Sequence, residues 1–264
     1  MVSNSLLSFF IPIFALMVGS FLTVVVYRLP REIPLGLFKN LRSVCNNCQS
    51  IIPYFRNIPI FSYLFLKGRS KCCNKKISSQ YLVIEVTTFI ILSLSFFLWH
   101  KHHQIVTYQL LIEYGVHFVF IAMLIAASFI DLNFRIIPNR INLGGWLLAI
   151  CVSFFWGFTT YQSAILGGLL GFGMFFLLSY LYEKIKKIEG LGMGDVKMMG
   201  WLGSWLGIEY LVYVILIGSI SGLVFGLIAM VKSKQGLKTA IPFGPFLAFG
   251  AFIAWILKIN QIIL

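Results

Sequence analysis

Residues 5–26, "SLLSFFIPIFALMVGSFLTVVV", run for 22 positions without a charged side chain. The run is long enough to cross a bilayer and too long for the core of a signal peptide. No basic segment precedes it and no clear small-residue cleavage site follows; Arg28 and Arg31 come after it rather than before. It reads as a retained first span whose N-terminus lies outside.

Similar runs recur at 81–99, 108–130, 141–158, 162–182, 191–206, 207–231 and 240–262. Composition agrees: 59% of the 264 residues are apolar and 11% are charged, which excludes an ordinary soluble domain. Mean hydropathy is +0.91. The expected fold class is an all-α polytopic integral membrane protein of about eight transmembrane helices. The sixth run is short and glycine-rich, which predicts a tilted, broken or partly re-entrant helix. Such backbone is tolerated at membrane depth only against protein or a wet cavity.

A net charge of +13 raises the question of nucleic acid, but the bases sit in short loops, so no nucleic-acid partner is expected. Residues 27–80 hold ten Lys/Arg against one Glu, and the loops at 131–140, 183–190 and 232–238 are also basic. Together they place 18 of the 21 basic residues on one side. Eight spans with both termini outside therefore put those loops in the cytoplasm. Three parts are expected: a first transmembrane helix (1–26), a cytoplasmic cysteine-containing subdomain (27–80) and a polytopic membrane domain (81–264).

The chain has two aspartates, Asp131 in "FIDLNFRIIPNR" and Asp195 in "GLGMGDVKMMG". By this topology both lie at the cytoplasmic edge of the bilayer. An acid there is costly and signals function by default. Two carboxylates within about 3 Å share a proton, so one can activate water while the other protonates the departing group. Gly190, Gly192 and Gly194 leave space for backbone and substrate beside Asp195. The bland alternative is that each Asp caps a helix or pairs with Arg135 or Lys197.

Several stretches resemble the prepilin peptidases, or type IV leader peptidases, a family of GxGD-type membrane aspartyl proteases. They are "GSFLTVVVYRLP" (19–30), "CNNC" (45–48), "PYFRNIPIFSYLFLKGRS" (53–70), "SSQYLVIE" (78–85), "DLNFRIIPN" (131–139), "GLGMGDVK" (190–197) and "IPFGPFLAFG" (241–250). The ordered set covers essentially the whole chain. The resemblance implies catalysis by Asp131 and Asp195 and cleavage of the basic leader of type IV prepilins or pseudopilins at the cytoplasmic face. The cut falls after Gly and usually before Phe. It further implies a multi-pass bacterial inner-membrane protein serving a type IV pilus or type II secretion system. Many members also N-methylate the new terminus with S-adenosylmethionine.

Cys45, Cys48, Cys72 and Cys73 lie in the loop assigned inside, where disulfides are not expected. They are candidate ligands of a tetrahedral zinc that would staple a small loop; a CxxC redox pair is the competitor. The family's second pair is C-x-x-C, whereas here Ser70 occupies its first position and Cys72 stands beside Cys73. That departure bears on methyl transfer, which the family links to this loop, and no glycine-rich Rossmann signature marks a methyl-donor site.

Glu85, just inside the second span, is a candidate for lining the cavity, as is Lys197 for touching substrate. Each has a plain interfacial role as its alternative. Glu113 and His117 suit a structural pair. His100, His102 and His103 suit a solvated turn, Cys151 packing in the fourth span, and "PFGP" (242–245) support of the cavity. The competing function is a proton-coupled transporter or channel using the two aspartates as a relay. Both acids at one interface, and no paired repeats, argue against it. Presenilin-like GxGD proteases pair a different first motif and leave the cysteine loop unexplained.

Overall fold

In a bilayer the backbone must satisfy its own N–H and C=O groups, so apolar runs fold as helices. The computed structural model describes residues 4–35, 43–45, 47–53, 56–101, 107–188, 190–232 and 241–260. Its helices are α1 (Asn4–Arg28), α2 (Phe61–Phe65), α3 (Ser79–His100), α4 (Tyr108–Phe134), α5 (Asn139–Trp156), α6 (Tyr161–Lys186), α7 (Met193–Leu206), α8 (Ile208–Lys232) and α9 (Gly244–Ile259). All but the short α2 coincide with the expected spans. Among the described residues, five helical stretches are long and apolar enough to cross a membrane: Leu7–Arg31, α3, α4, α6 and Ile208–Val231. The sixth run is one continuous helix, α7, of 14 residues. It is about 21 Å long, shorter than a hydrocarbon core of about 30 Å.

The chain forms two compact units, Met1–Leu111 and Ile112–Leu264. In the first, α1 packs on α3. At Gly19 a Cβ would stand 3.2 Å from the Glu85 backbone, so glycine lets the two helices close. The Ser78 hydroxyl caps α3 by accepting from the Gln80 amide (3.3 Å).

In the second unit α7 packs on α5, α6, α8 and α9, and Val196 and the run from Met198 to Leu206 are buried. Its approach to α6 is backbone on backbone. A Cβ at Gly203 would lie 2.1 Å from the Gly167 carbonyl oxygen, and one at Gly171 2.5 Å from that of Met199. This is the small-residue packing that joins helices where apolar side chains alone give no net attraction. Phe120 of α4 stacks on Trp205 with ring centroids 5.0 Å apart. Past the end of α7, Lys258 Nζ donates to the Leu206 carbonyl (2.7 Å) and to Thr159 Oγ1 (2.6 Å), lying 4.2 Å over the Phe158 ring. A cation on the last carbonyls also suits the negative end of a helix.

Glu113 and buried His117 form an i,i+4 pair at 3.6 Å. His100 stacks on Phe96 at 5.4 Å, while His102 and His103 lie outside the described residues. Cys151 lies in the fourth expected span, on α5, and is exposed in the isolated chain. Basic Lys234 and Lys238 also fall outside the described residues.

The α6–α7 contact yields a paired prediction. Gly203→Ala should destabilise the detergent-purified protein by about 2 kcal/mol or more, because no rotamer change can relieve a Cβ pressed on backbone. Gly173→Ala on α6, where a Cβ meets nothing within 4 Å, should leave the melting temperature unchanged.

Candidate active site

Helix α4 ends as Arg135 turns into the left-handed region (φ 55°), and Pro138 immediately precedes α5. Residues 135–138 thus form a tight corner between α4 and α5. Asp131 sits one turn before that corner, buried, and its Oδ2 accepts a 2.9 Å hydrogen bond from the Gly244 amide, the first of α9. A Cβ at Gly244 would lie 2.9 Å from that same oxygen, so the approach requires glycine.

Asp195 lies in the first turn of α7, with its amide bonded to the Gly192 carbonyl (3.0 Å). The two carboxylates are near enough for the charge of Asp131 to act on Asp195. Buried Ile137 connects their surroundings. It stands 3.1 Å from a Cβ placed on Gly244, and its amide 3.2 Å from one placed on Gly194. Each aspartate is therefore met by a helix N-terminus, where unpaired amides and the positive dipole end favour negative charge.

The three glycines of the "GLGMGD" stretch divide their roles. Gly190 makes way for the Tyr182 ring, which a Cβ would meet at 2.3 Å, and Gly194 makes way for Ile137. At Gly192 a Cβ would meet Asp195 Oδ2 at 3.5 Å, an ordinary contact, so this exposed position leaves open space beside the carboxylate.

Among the described residues no ion pair within 4 Å joins Asp131 to Arg135 or Asp195 to Lys197, although the Arg135 charge acts on Asp131. Lys197 Nζ instead donates to Asn139 Oδ1 (2.8 Å), tying α7 to the start of α5. Glu85 belongs to the first unit. There its Oε2 accepts from the Ile60 amide (2.7 Å) and holds that β-branched residue at φ 64°, a conformation such residues rarely adopt.

Sequence reasoning passed over Asn142. This fully buried residue of α5 donates from Nδ2 to the carbonyls of Ile137 (3.4 Å) and Gly194 (3.2 Å), and accepts from Trp201 Nε1 (3.1 Å). A polar amide inside an apolar span was the signal for it.

The cysteines form a second site, in the first unit. Antiparallel bridges Val44–Ile51 and Arg69–Lys76 close two turns of the same build. In one, the Cys45 amide bonds Ser50 and Gln49 bonds back to Cys45; in the other, Ser70 bonds Lys75 and Asn74 bonds back to Ser70. Gln49 and Asn74 are both left-handed. Ser70 thus stands where the first turn has Cys45, and Cys73 where it has Cys48. The displaced Cys72 still joins the cluster, because all four Sγ atoms lie within 4.8 Å of one another. Tetrahedral zinc at about 2.3 Å from each sulfur spaces the sulfurs about 3.8 Å apart, so the cluster suits such an ion. The Ser70 hydroxyl, then the Cys48 and Asn47 amides, lower the Cys45 thiol from 9.0 to about 6, toward the thiolate that ligates metal.

Fold and site together define a multi-pass helical membrane protein with paired aspartates and a separate cysteine cluster. Residues 118–227 match the type IV leader peptidase family, and residues 13–99 match the bacterial peptidase A24 N-terminal domain. The chain is 31% identical to a prepilin leader peptidase/N-methyltransferase of Dichelobacter nodosus, over 94% of this chain and 91% of that one. It is 30% identical to the protein so named in Pectobacterium carotovorum subsp. carotovorum (93% and 91%) and 31% to that of Aeromonas salmonicida strain A449 (92% and 88%). No solved structure matches. The chain belongs to the type IV leader peptidase family.

Proposed function

We propose that this protein is a membrane aspartyl endopeptidase that removes the basic leader of type IV prepilins or pseudopilins, with Asp131 and Asp195 as its catalytic pair. The observation that carries the assignment is that Asp131, bonded to the first amide of α9, lies near enough to Asp195, in the first turn of α7, for its charge to act there. The family membership and the names of the relatives support the substrate class. Loop charge supports a cytoplasmic cleavage face in a multi-pass inner membrane protein.

One ionised carboxylate takes a proton from water as the water oxygen attacks the scissile carbonyl carbon. The other, protonated, gives its proton to the departing amide nitrogen. The Gly244 amide holds Asp131 in place throughout, and the open side at Gly192 admits the peptide. The space there also suits the small residue before the cut.

The relatives' names also support N-methylation of the new terminus with S-adenosylmethionine as a second activity. No residue is assigned to it. Cys45, Cys48, Cys72 and Cys73 would hold a structural zinc, which staples the two turns of the cytoplasmic subdomain at 27–80.

Asp131→Asn and Asp195→Asn should each slow leader removal by about a hundredfold or more, followed by gel shift of a co-expressed prepilin. Wild-type processing by either variant would contradict the assignment. Metal analysis of the purified protein should find about one zinc per chain, falling by more than about half in Cys72→Ser. Metal-free wild-type protein would remove the zinc site.

A further inference from the structure

Asp131 and Asp195 are far apart in sequence and lie on different helices, so their spacing depends on whatever joins the corner after α4 to the start of α7. Lys197 and Asn139 make one such link, at exposed Asn139. The buried link is Asn142. Its two N–H donors reach one carbonyl on each side: Ile137, six residues after Asp131, and Gly194, next to Asp195. Its oxygen accepts from the indole of Trp201, itself fully buried on α7. The side chain is 0% exposed, so water cannot replace these partners. No aliphatic side chain can bridge two carbonyls, and a carboxylate there would face them with like charge.

We propose that Asn142 is a positioning residue: its amide fixes the spacing between the Asp131 and Asp195 segments. It touches neither carboxylate and acts through the backbone that carries them. The proposal rests on the reading of the two aspartates as the catalytic pair, but the spacing itself is measurable without activity. Ile137 Cβ lies 3.3 Å from a Cβ built on Gly194, close to the separation of two disulfide-linked residues, about 3.5–4.5 Å.

The experiment uses the full-length protein in membranes. An Ile137→Cys/Gly194→Cys pair should form an intramolecular disulfide on mild oxidation, identified by non-reducing peptide mapping. Adding Asn142→Leu should slow that oxidation by about tenfold. In the otherwise native chain, Asn142→Leu should lower kcat for leader removal by about tenfold or more, with KM within about twofold. Asn142→Asp keeps the size and the acceptor for Trp201. It should be impaired like the leucine variant at pH 8 and regain activity relative to wild type, by about fivefold, at pH 6. Burial against two carbonyls favours the protonated form of the introduced carboxyl, which regains one donor as the pH falls; the leucine variant gains nothing. This pH ratio tests the idea even if Asn142→Leu does not fold. Unchanged kcat and unchanged cross-linking in Asn142→Leu, or a flat ratio to wild type in Asn142→Asp, overturns the proposal. Active Asp→Asn variants alongside Asn142-dependent cross-linking would overturn the catalytic reading and leave the positioning role standing.

Discussion

A buried carboxylate must find compensation in the protein, and Asp131 finds it in the first amide of α9. That bond sets the geometry around it. It brings the start of α9 onto the end of α4, close enough that Gly244 can carry no side chain. Ile137 is then wedged between Gly244 and Gly194, which in turn fixes where α7 begins. Asp195, in that first turn, receives a helix N-terminus of its own. Two carboxyl groups that share one proton can be held near each other, with each standing at a helix N-terminus.

The placement lasts only if α7 does not move, and this short helix is buried among its neighbours from Met198 to Leu206. Its anchors are protein. Asn142 holds the beginning, Trp146 Nε1 donates to Ser204 Oγ at 2.7 Å toward the end, and Lys258 binds the last carbonyl. Between these points the glycines of α6 and α7 press backbone against backbone. Packing at that density has low compressibility, so rigidity at α7 means a defined carboxylate at its first turn.

Much of this was legible in the sequence. Hydrophobic runs gave the helices to within a few residues, since a bilayer demands both apolarity and helical backbone. The aspartates stood out by their rarity and their flanking motifs, and the cysteines by their spacing. Other features are tertiary and have no local period. The roles of Gly190 and Gly194 depend on Tyr182 and Ile137, which no spacing rule connects to them. The Asn142 bonds to Gly194 and Trp201 span 52 and 59 residues. Likewise no spacing rule shows that two matching turns set Ser70 opposite Cys45 and bring the displaced Cys72 into the cluster.

The central claim is that Asp131, near the end of α4, and Asp195, in the first turn of α7, lie close enough to act as a pair. It is tested most directly by Asp131→Cys/Asp195→Cys in native membranes, treated with a thiol-reactive cross-linker spanning about 5 Å, on the scale of a disulfide-linked pair. The account predicts an intramolecular cross-link joining the two peptides, absent from either single variant. Two thiols that both react with a monofunctional reagent yet never cross-link would contradict it.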